Sequence, residues 1–399
     1  MSSNKIIHLL QPTTIGTSIP LRNRICMASL TRNRCIDDNK PTEASVQHYA
    51  TRAKDGTGLI ISEGIFIYIN GCDWLHSPML FKPEHVEPWK KVTDAVHKEG
   101  GKIFCQTWHP GRSQNENIPM LKAANYPVLA PSSIPRASGR YHLLEGNHGH
   151  SRNVTEITDP KEIIEQYKNS VKLAKQAGFD GIEILAQGDY LLHNFLLSRS
   201  NQRTDKYGGS TENRCRFVLE VIDAILETWS PESVGIKVSP SDILGDTVSP
   251  YTETSETYSY LIKQVVARGL GYICLSRRGC IPDSQPGGIP VVRPPGTELP
   301  ENYDILDDFG HLIKFPGSKT SLMVNSLYTA DEAERLVRDD KIDLVAFGRP
   351  FIYNPDVVTR IKRGSPLATN ERGGFVYYGP YNDISEGYND WPFDSQNSQ

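Results

Sequence analysis

Asn325-Ser326-Leu327 and Phe347-Gly348-Arg349-Pro350-Phe351 each follow a short apolar run, Ser321 to Val324 and Leu344 to Phe347. Backbone amides opening onto a helix near Thr329, with a guanidinium from the next loop, have the makings of a phosphate cradle. Arg349 on its own could equally pair with a carboxylate; its place beside the Asn325 turn favours phosphate. A third chemical stretch is Ser200-Asn201-Gln202-Arg203-Thr204-Asp205-Lys206-Tyr207-Gly208-Gly209-Ser210-Thr211-Glu212-Asn213-Arg214. Here two turn glycines are framed by a dense set of hydrogen-bonding and charged side chains. The stretch follows the strand-like run Gly181-Ile182-Glu183-Ile184-Leu185 and precedes an amphipathic pattern from Phe217 to Thr228.

These loops need elements to hold them. Runs with strand character recur at Arg24 to Met27, Gly58 to Ser62, Lys102 to Gln106, Gly181 to Leu185, Val234 to Val238, Tyr272 to Leu275, Ser321 to Val324 and Leu344 to Phe347. Helical patterns lie between them at Pro83 to Glu99, Pro160 to Ala177, Ser255 to Arg268 and Thr329 to Arg338. Eight such strands alternating with helices predict an α/β fold, a single (β/α)8 TIM barrel, with its chemistry on the loops at the C-terminal ends of the strands. An open doubly wound sheet gives no reason for eight units, and the chain has no GxGxxG. Two stretches break the alternation, Thr107 to Ile157 after strand three and Ser276 to Gly317 after strand six. Both read as long excursions over the active face. The Tyr- and Gly-rich tail from Gly373 is expected to fold back over the barrel mouth. No repeat or linker divides residues 1–399, so one domain is expected.

The chain carries a net charge of −4, which gives no pull toward nucleic acid or acidic membrane surfaces. No apolar run approaches the roughly 20 residues needed to span a bilayer. The short apolar stretch at Ile6 to Leu10 lacks the features of a signal peptide. A cytoplasmic protein is expected. Its seven cysteines, Cys26, Cys35, Cys72, Cys105, Cys215, Cys274 and Cys280, show no CxxC spacing and read as free thiols. His142, His148 and His150, with Glu145, are the one weak metal candidate and read better as loop residues.

Over nearly the whole chain, from about Leu9 to about Pro392, these motifs resemble the Old Yellow Enzyme family of flavin-dependent oxidoreductases. The resemblance implies FMN as cofactor, NADPH as hydride donor and a small-molecule substrate; a homodimer is left open. Met27-Ala28-Ser29-Leu30-Thr31-Arg32 is similar to the strand-one motif whose threonine, here Thr31, hydrogen-bonds the flavin ring. Ser62-Glu63-Gly64 resembles the strand-two contact, and Gln106 in Gln106-Thr107-Trp108-His109-Pro110-Gly111-Arg112 matches the amide that reads the pyrimidine edge. Gly348 and Arg349 match the phosphate site, to which Asn325 and Ser326 would add amides. Two positions depart from the family. Lys237 stands where an arginine is usual, keeping the charge near flavin N1 but losing the planar fork. Ser326 and Leu327 stand where glycines or a Gly-Asn pair are usual.

A third departure bears on substrate. The family clamps a substrate carbonyl with a His and a second His or Asn three residues later, and protonates the alkene with a Tyr two residues beyond. Here the segment reads Leu185-Ala186-Gln187-Gly188-Asp189-Tyr190. Tyr190 matches the proton donor, whereas neither Leu185 nor Gly188 has a side chain that can donate. Trp108, His109 and Tyr378 are candidates to line the pocket in their place. The expectation is an FMN-dependent oxidoreductase acting on a bulky hydrophobic metabolite. The alternatives are dehydrogenation or isomerisation of a specialised metabolite, or a non-catalytic flavin-binding relative.

Overall fold

Each barrel strand is buried along its whole length on both faces, and this is why the runs read as largely continuous apolar stretches rather than alternating ones. The computed structural model describes residues 6–36, 38–137, 149–243, 247–277, 293–379 and 381–394. Eight parallel strands close a barrel: β1 (Ile25–Met27), β2 (Leu59–Phe66), β3 (Ile103–Trp108), β4 (Gly181–Ala186), β5 (Val234–Val238), β6 (Tyr272–Ser276), β7 (Ser321–Asn325) and β8 (Leu344–Phe347). Closure runs from β8 to β1 through Val345↔Ile25, Ala346↔Cys26 and Phe347↔Met27.

Helices cover the outside: α1 (Glu43–Lys54), α2 (Val86–Lys98), α3 (Pro160–Gln176), α4 (Thr211–Leu226), α5 (Tyr251–Ala267), α6 (Ile305–Ile313), α7 (Ala330–Arg338) and α8 (Val357–Arg363). Two of them start earlier than their apolar pattern. Ser210 caps α4 by accepting a hydrogen bond from the Asn213 amide, so the helix begins at Thr211, six residues before the expected start at Phe217. α5 begins with the polar turn Tyr251-Thr252-Glu253-Thr254 rather than at Ser255. Periodicity reports where a helix becomes buried; the cap reports where it begins.

Inside the barrel, inward-facing side chains form a separate apolar core. A two-stranded hairpin, Thr13–Ile15 with Ile19–Leu21, contributes Ile15 and Leu21 to that core. Gly235 makes room for the ring of Tyr272 across the β5–β6 pair, since a Cβ there would lie 2.2 Å from its Cζ. The excursion after β3 carries a small parallel pair, Val128–Ala130 with Val154–Glu156. The six described cysteines are buried and unpaired; Cys280, His142, His148 and Glu145 lie outside the described residues. Among the described residues no helix is long and apolar enough to cross a membrane, and no group of three or more potential ligands could hold a metal.

Candidate active site

The ladder sets the mouth of the barrel. Gly64 pairs with Gln106 and Gln106 with Glu183; one step further out, Leu185 pairs with Lys237 and Lys237 with Cys274. A polar chain crosses this floor. Ser29 Oγ donates to Gln106 Oε1 at 2.7 Å, and Gln106 Nε2 donates to Glu183 Oε1 at 2.7 Å. Tyr272 Oη completes it, donating to Glu183 Oε2 at 2.9 Å. The amide of Gln106 is therefore fixed in orientation before any ligand arrives. Glu183 and Tyr272 were not among the sequence candidates. The signal was present: Glu183 is the one charge in the buried strand Gly181–Ala186.

At the end of β1, Thr31 is half-buried and makes no hydrogen bond through its side chain to a described residue. Its neighbour Arg32 is fully buried; its amide donates to Glu63 Oε2 at 3.1 Å, and its guanidinium donates to the Val376 and Gly387 carbonyls. Arg34 binds the Ile384 and Glu386 carbonyls. Two buried arginines thus strap the C-terminal tail to β1 and β2, as the tail's expected return requires. Glu63 also explains why β2 runs on to Phe66 instead of stopping at Ser62. Its carboxylate is taken up inside the fold, and burial pushes it up to about 7 against the pull of Arg32 and Arg34.

The last two strands end at Asn325 and Phe347, where the residues of the phosphate reading begin. Arg349 is exposed and its side chain makes no hydrogen bond or ion pair with any described residue; its guanidinium lies 6.0 Å from the Tyr377 ring. The carboxylate-pairing alternative therefore has no partner here. Ser326 and Leu327 have φ of 71° and 62°, the left-handed turn that glycines would adopt freely. Holding two such residues costs roughly 1–2 kcal/mol each, a strain that persists where a site requires the geometry. Gly348 leaves the cradle open, with only Leu30 Cδ2 near its missing Cβ, at 3.5 Å. Lys237 is 5% exposed, yet its ammonium has no hydrogen bond or ion pair among the described residues. A near-buried unpaired cation at the mouth, with Arg349 and the Ser326 turn beyond, fits an anionic group such as FMN.

The face over this floor is apolar. Trp108 and Leu185 are buried in one cluster with Phe66, Met79, Ile118 and Leu121, and Tyr190 packs on it. Tyr190 meets Trp108 edge-on, with ring centroids 5.0 Å apart. Gly64 is required for this, because a Cβ would lie 2.7 Å from Trp108 Cε3. Tyr378 reaches the same region through Trp74, 4.3 Å from its ring. Gly188 has φ of 74° and donates its amide to Asp242 Oδ2 at 3.1 Å. The Gly111 amide donates to His109 Nδ1, which places the His109 proton on Nε2. That nitrogen and Trp108 Nε1 are buried with no hydrogen-bond partner among the described residues.

The Ser200–Arg214 stretch has a different role from the one its composition suggests. Arg203 binds the Pro131 and Ile157 carbonyls and Asp205, Asn201 binds the Phe195 and Tyr207 carbonyls, and Arg214 binds the Leu196 and Gly209 carbonyls. Its polar groups are spent on fastening the β3 excursion to the scaffold, and its last four residues are the first turn of α4.

Burial also sets a pH dependence. It holds His48 well below its ordinary value, His109 down to about 3 and His193 to about 4, and raises Glu63 to about 7 and Asp55 to about 6. A depressed histidine gives stability present above 6.5 and lost as pH falls; a raised carboxyl gives stability lost as pH rises through its folded value. Burial holds His85 down to about 4 as well, so below about pH 6 the unfolded chain carries four protons that the folded chain refuses, while the folded chain keeps two. Stability is expected to be greatest above about pH 7 and to fall by about 2.7 kcal/mol per unit between about pH 6 and 4. Urea denaturation at a series of pH values checks this, and a plateau from pH 6 down to 4 would contradict it.

Residues 8–368 match the model of the "NADH:flavin oxidoreductase / NADH oxidase family". The chain is 34% identical to the flavin oxidoreductase hxnT of Emericella nidulans over 96% of its length and 97% of that protein. It is 32% identical to a probable flavin mononucleotide-dependent alkene reductase of Leishmania infantum, over 98% and 99%. Among solved structures it is similar to morphinone reductase, at 33% identity and a TM-score of 0.82, covering 100% of this chain and 99% of that one.

Proposed function

Because the chain belongs to the NADH:flavin oxidoreductase / NADH oxidase family, and so is an FMN-dependent oxidoreductase of the Old Yellow Enzyme type, we propose that it reduces a bulky apolar alkene activated otherwise than by a two-donor carbonyl clamp. The observation that carries this is the pair Leu185 and Gly188. Neither has a side chain that can donate a hydrogen bond, while Tyr190 stands against Trp108 in the same apolar cluster. Bound FMN would take hydride from NADPH and deliver it to the alkene. The chain's own residues divide the remaining work. Arg349, Gly348, Asn325 and the Ser326 turn hold the phosphate; Lys237 sets a positive charge by the ring. Gln106, Thr31, Gly64, Ser29 and Leu30 fit the ring's edge and face. Trp108, Leu185, Gly188 and Tyr378 line the substrate space, and the Tyr190 hydroxyl donates the proton.

NADPH consumption with two probes tests this reading. N-Phenylmaleimide is bulky and its alkene is activated from both ends; 2-cyclohexenone depends on one carbonyl. The maleimide is expected to be reduced and the cyclohexenone to be turned over poorly. Equal turnover would overturn the proposal. Arg349→Ala is expected to weaken FMN binding by about 1.5–3 kcal/mol, the value of a charge-assisted contact. Fluorescence titration of FMN into the apoprotein measures it, and unchanged affinity would put the phosphate elsewhere.

A further inference from the structure

Asp189 lies between the missing clamp and Tyr190, and it is fully buried at φ 62°. Every polar atom it has is engaged. Its amide donates to His193 Nδ1 at 3.2 Å; its carbonyl accepts from Ser113 Oγ at 2.9 Å and from Asn194 Nδ2 at 3.0 Å. Its carboxylate accepts from Arg112 Nε at 2.9 Å and Asn194 Nδ2 at 2.7 Å, and faces Arg136 Nε at 3.2 Å. Arg112 is itself fully buried, and Arg136 is 8% exposed. These partners come from the loop after β3, from the excursion and from the short helix Leu191–Leu196, whose N-cap is Tyr190.

A carboxylate shared by two buried arginines is costly to desolvate and strongly destabilising to break, so it is weak evidence for stability as such. What it does here is geometric. Gly188 and Asp189 are consecutive left-handed residues, and the node holds that turn from three sides immediately before Tyr190. His193 accepts from the Asp189 amide only while its Nδ1 is unprotonated.

We propose that Asp189 is a positioning residue for the proton transfer. Through Arg112, Ser113 and Asn194 it fixes the turn that aims Tyr190 at the substrate, where the family's clamp would have fixed the substrate instead. The inference rests on the assignment of Tyr190 as proton donor. Asp189→Asn keeps the shape and removes the charge. It is expected to keep FMN and the rate of flavin reduction by NADPH, while reoxidation by N-phenylmaleimide slows about 10- to 100-fold, as misplacement of a catalytic group does. The apparent affinity for the maleimide should not change, and amide exchange in residues 188–194 should quicken with α4 unaffected. A wild-type reoxidation rate overturns the proposal, and so does a parallel loss of FMN or of flavin reduction. Should Asp189→Asn fail to fold, Ser113→Ala removes one donor without stranding a charge. It should slow reoxidation alone, about 2- to 10-fold; no slowing, or loss of FMN, overturns the proposal. Tyr190→Phe run in parallel separates the two readings. If it reoxidises normally, the Tyr190 assignment fails; if it is slow and the Asp189 variant is not, only the positioning role fails.

Discussion

Leu185→His combined with Gly188→Asn is expected to raise turnover of 2-cyclohexenone about 10- to 1000-fold over wild type. Each oxyanion donor contributes on the order of 100- to 1000-fold, and the wild-type chain lacks both side chains of the clamp. The structure favours the exchange at both positions. Leu185 pairs with Lys237 across the β4–β5 ladder, so an imidazole there would stand beside an ammonium and stay neutral, keeping an N–H to donate. Gly188 sits at φ 74°, and asparagine tolerates the left-handed region better than most residues. The hydrogen bond it donates to the Asp242 carboxylate uses only the backbone N–H of residue 188 and survives the change. Full recovery is not expected, because nothing orients the new side chains from behind. NADPH oxidation by the variant with its FMN in place measures the gain. A variant that retains FMN without gaining activity would show that the clamp is not what limits this reaction.

Tyr190→Phe is expected to slow reoxidation of the reduced protein by N-phenylmaleimide about 100-fold or more, the usual contribution of a positioned general acid. The substitution removes one oxygen and leaves the ring that packs edge-on against Trp108. Folding and FMN content should therefore hold, and flavin reduction by NADPH should be unchanged because it needs no proton from this residue. Anaerobic stopped-flow mixing separates the two half-reactions. Equal reoxidation rates for the variant and wild type would remove Tyr190 from the chemistry.

The barrel was legible because each strand is a short apolar run buried on both faces, a local property. Val234–Val238 and Leu344–Phe347 fall where their composition puts them. β2 ran past its expected end because Glu63, which reads as a boundary, is buried, its carboxylate bonded to the Arg32 amide. The starts of α4 and α5 were missed because their first turns are polar. The turn at Ser326 and the unpaired Arg349 side chain, the proposed phosphate cradle, lie in local loops that the sequence marks. The floor and the Asp189 node were not legible in this way. Glu183 meets Tyr272 across 89 residues and Asp189 meets Arg112 across 77, and no local pattern encodes such a pairing. The Ser200–Arg214 stretch, whose motif resembles the family's signature loop, is rich in polar groups for a related reason. Dense polarity marks backbone carbonyls to be satisfied as readily as it marks catalysis, and here Arg203, Asn201 and Arg214 bind carbonyls.

Anaerobic stopped-flow with the wild-type protein tests the central claim most directly. NADPH is mixed first and the loss of flavin absorbance followed; 2-cyclohexenone is then added to the reduced protein and its return followed. With the cradle and Lys237 intact but no donor at Leu185 or Gly188, NADPH should bleach the flavin readily. Cyclohexenone should restore it at least about 100-fold more slowly. Return of absorbance as fast as it was lost would mean that the carbonyl is clamped by other groups, and would contradict the account.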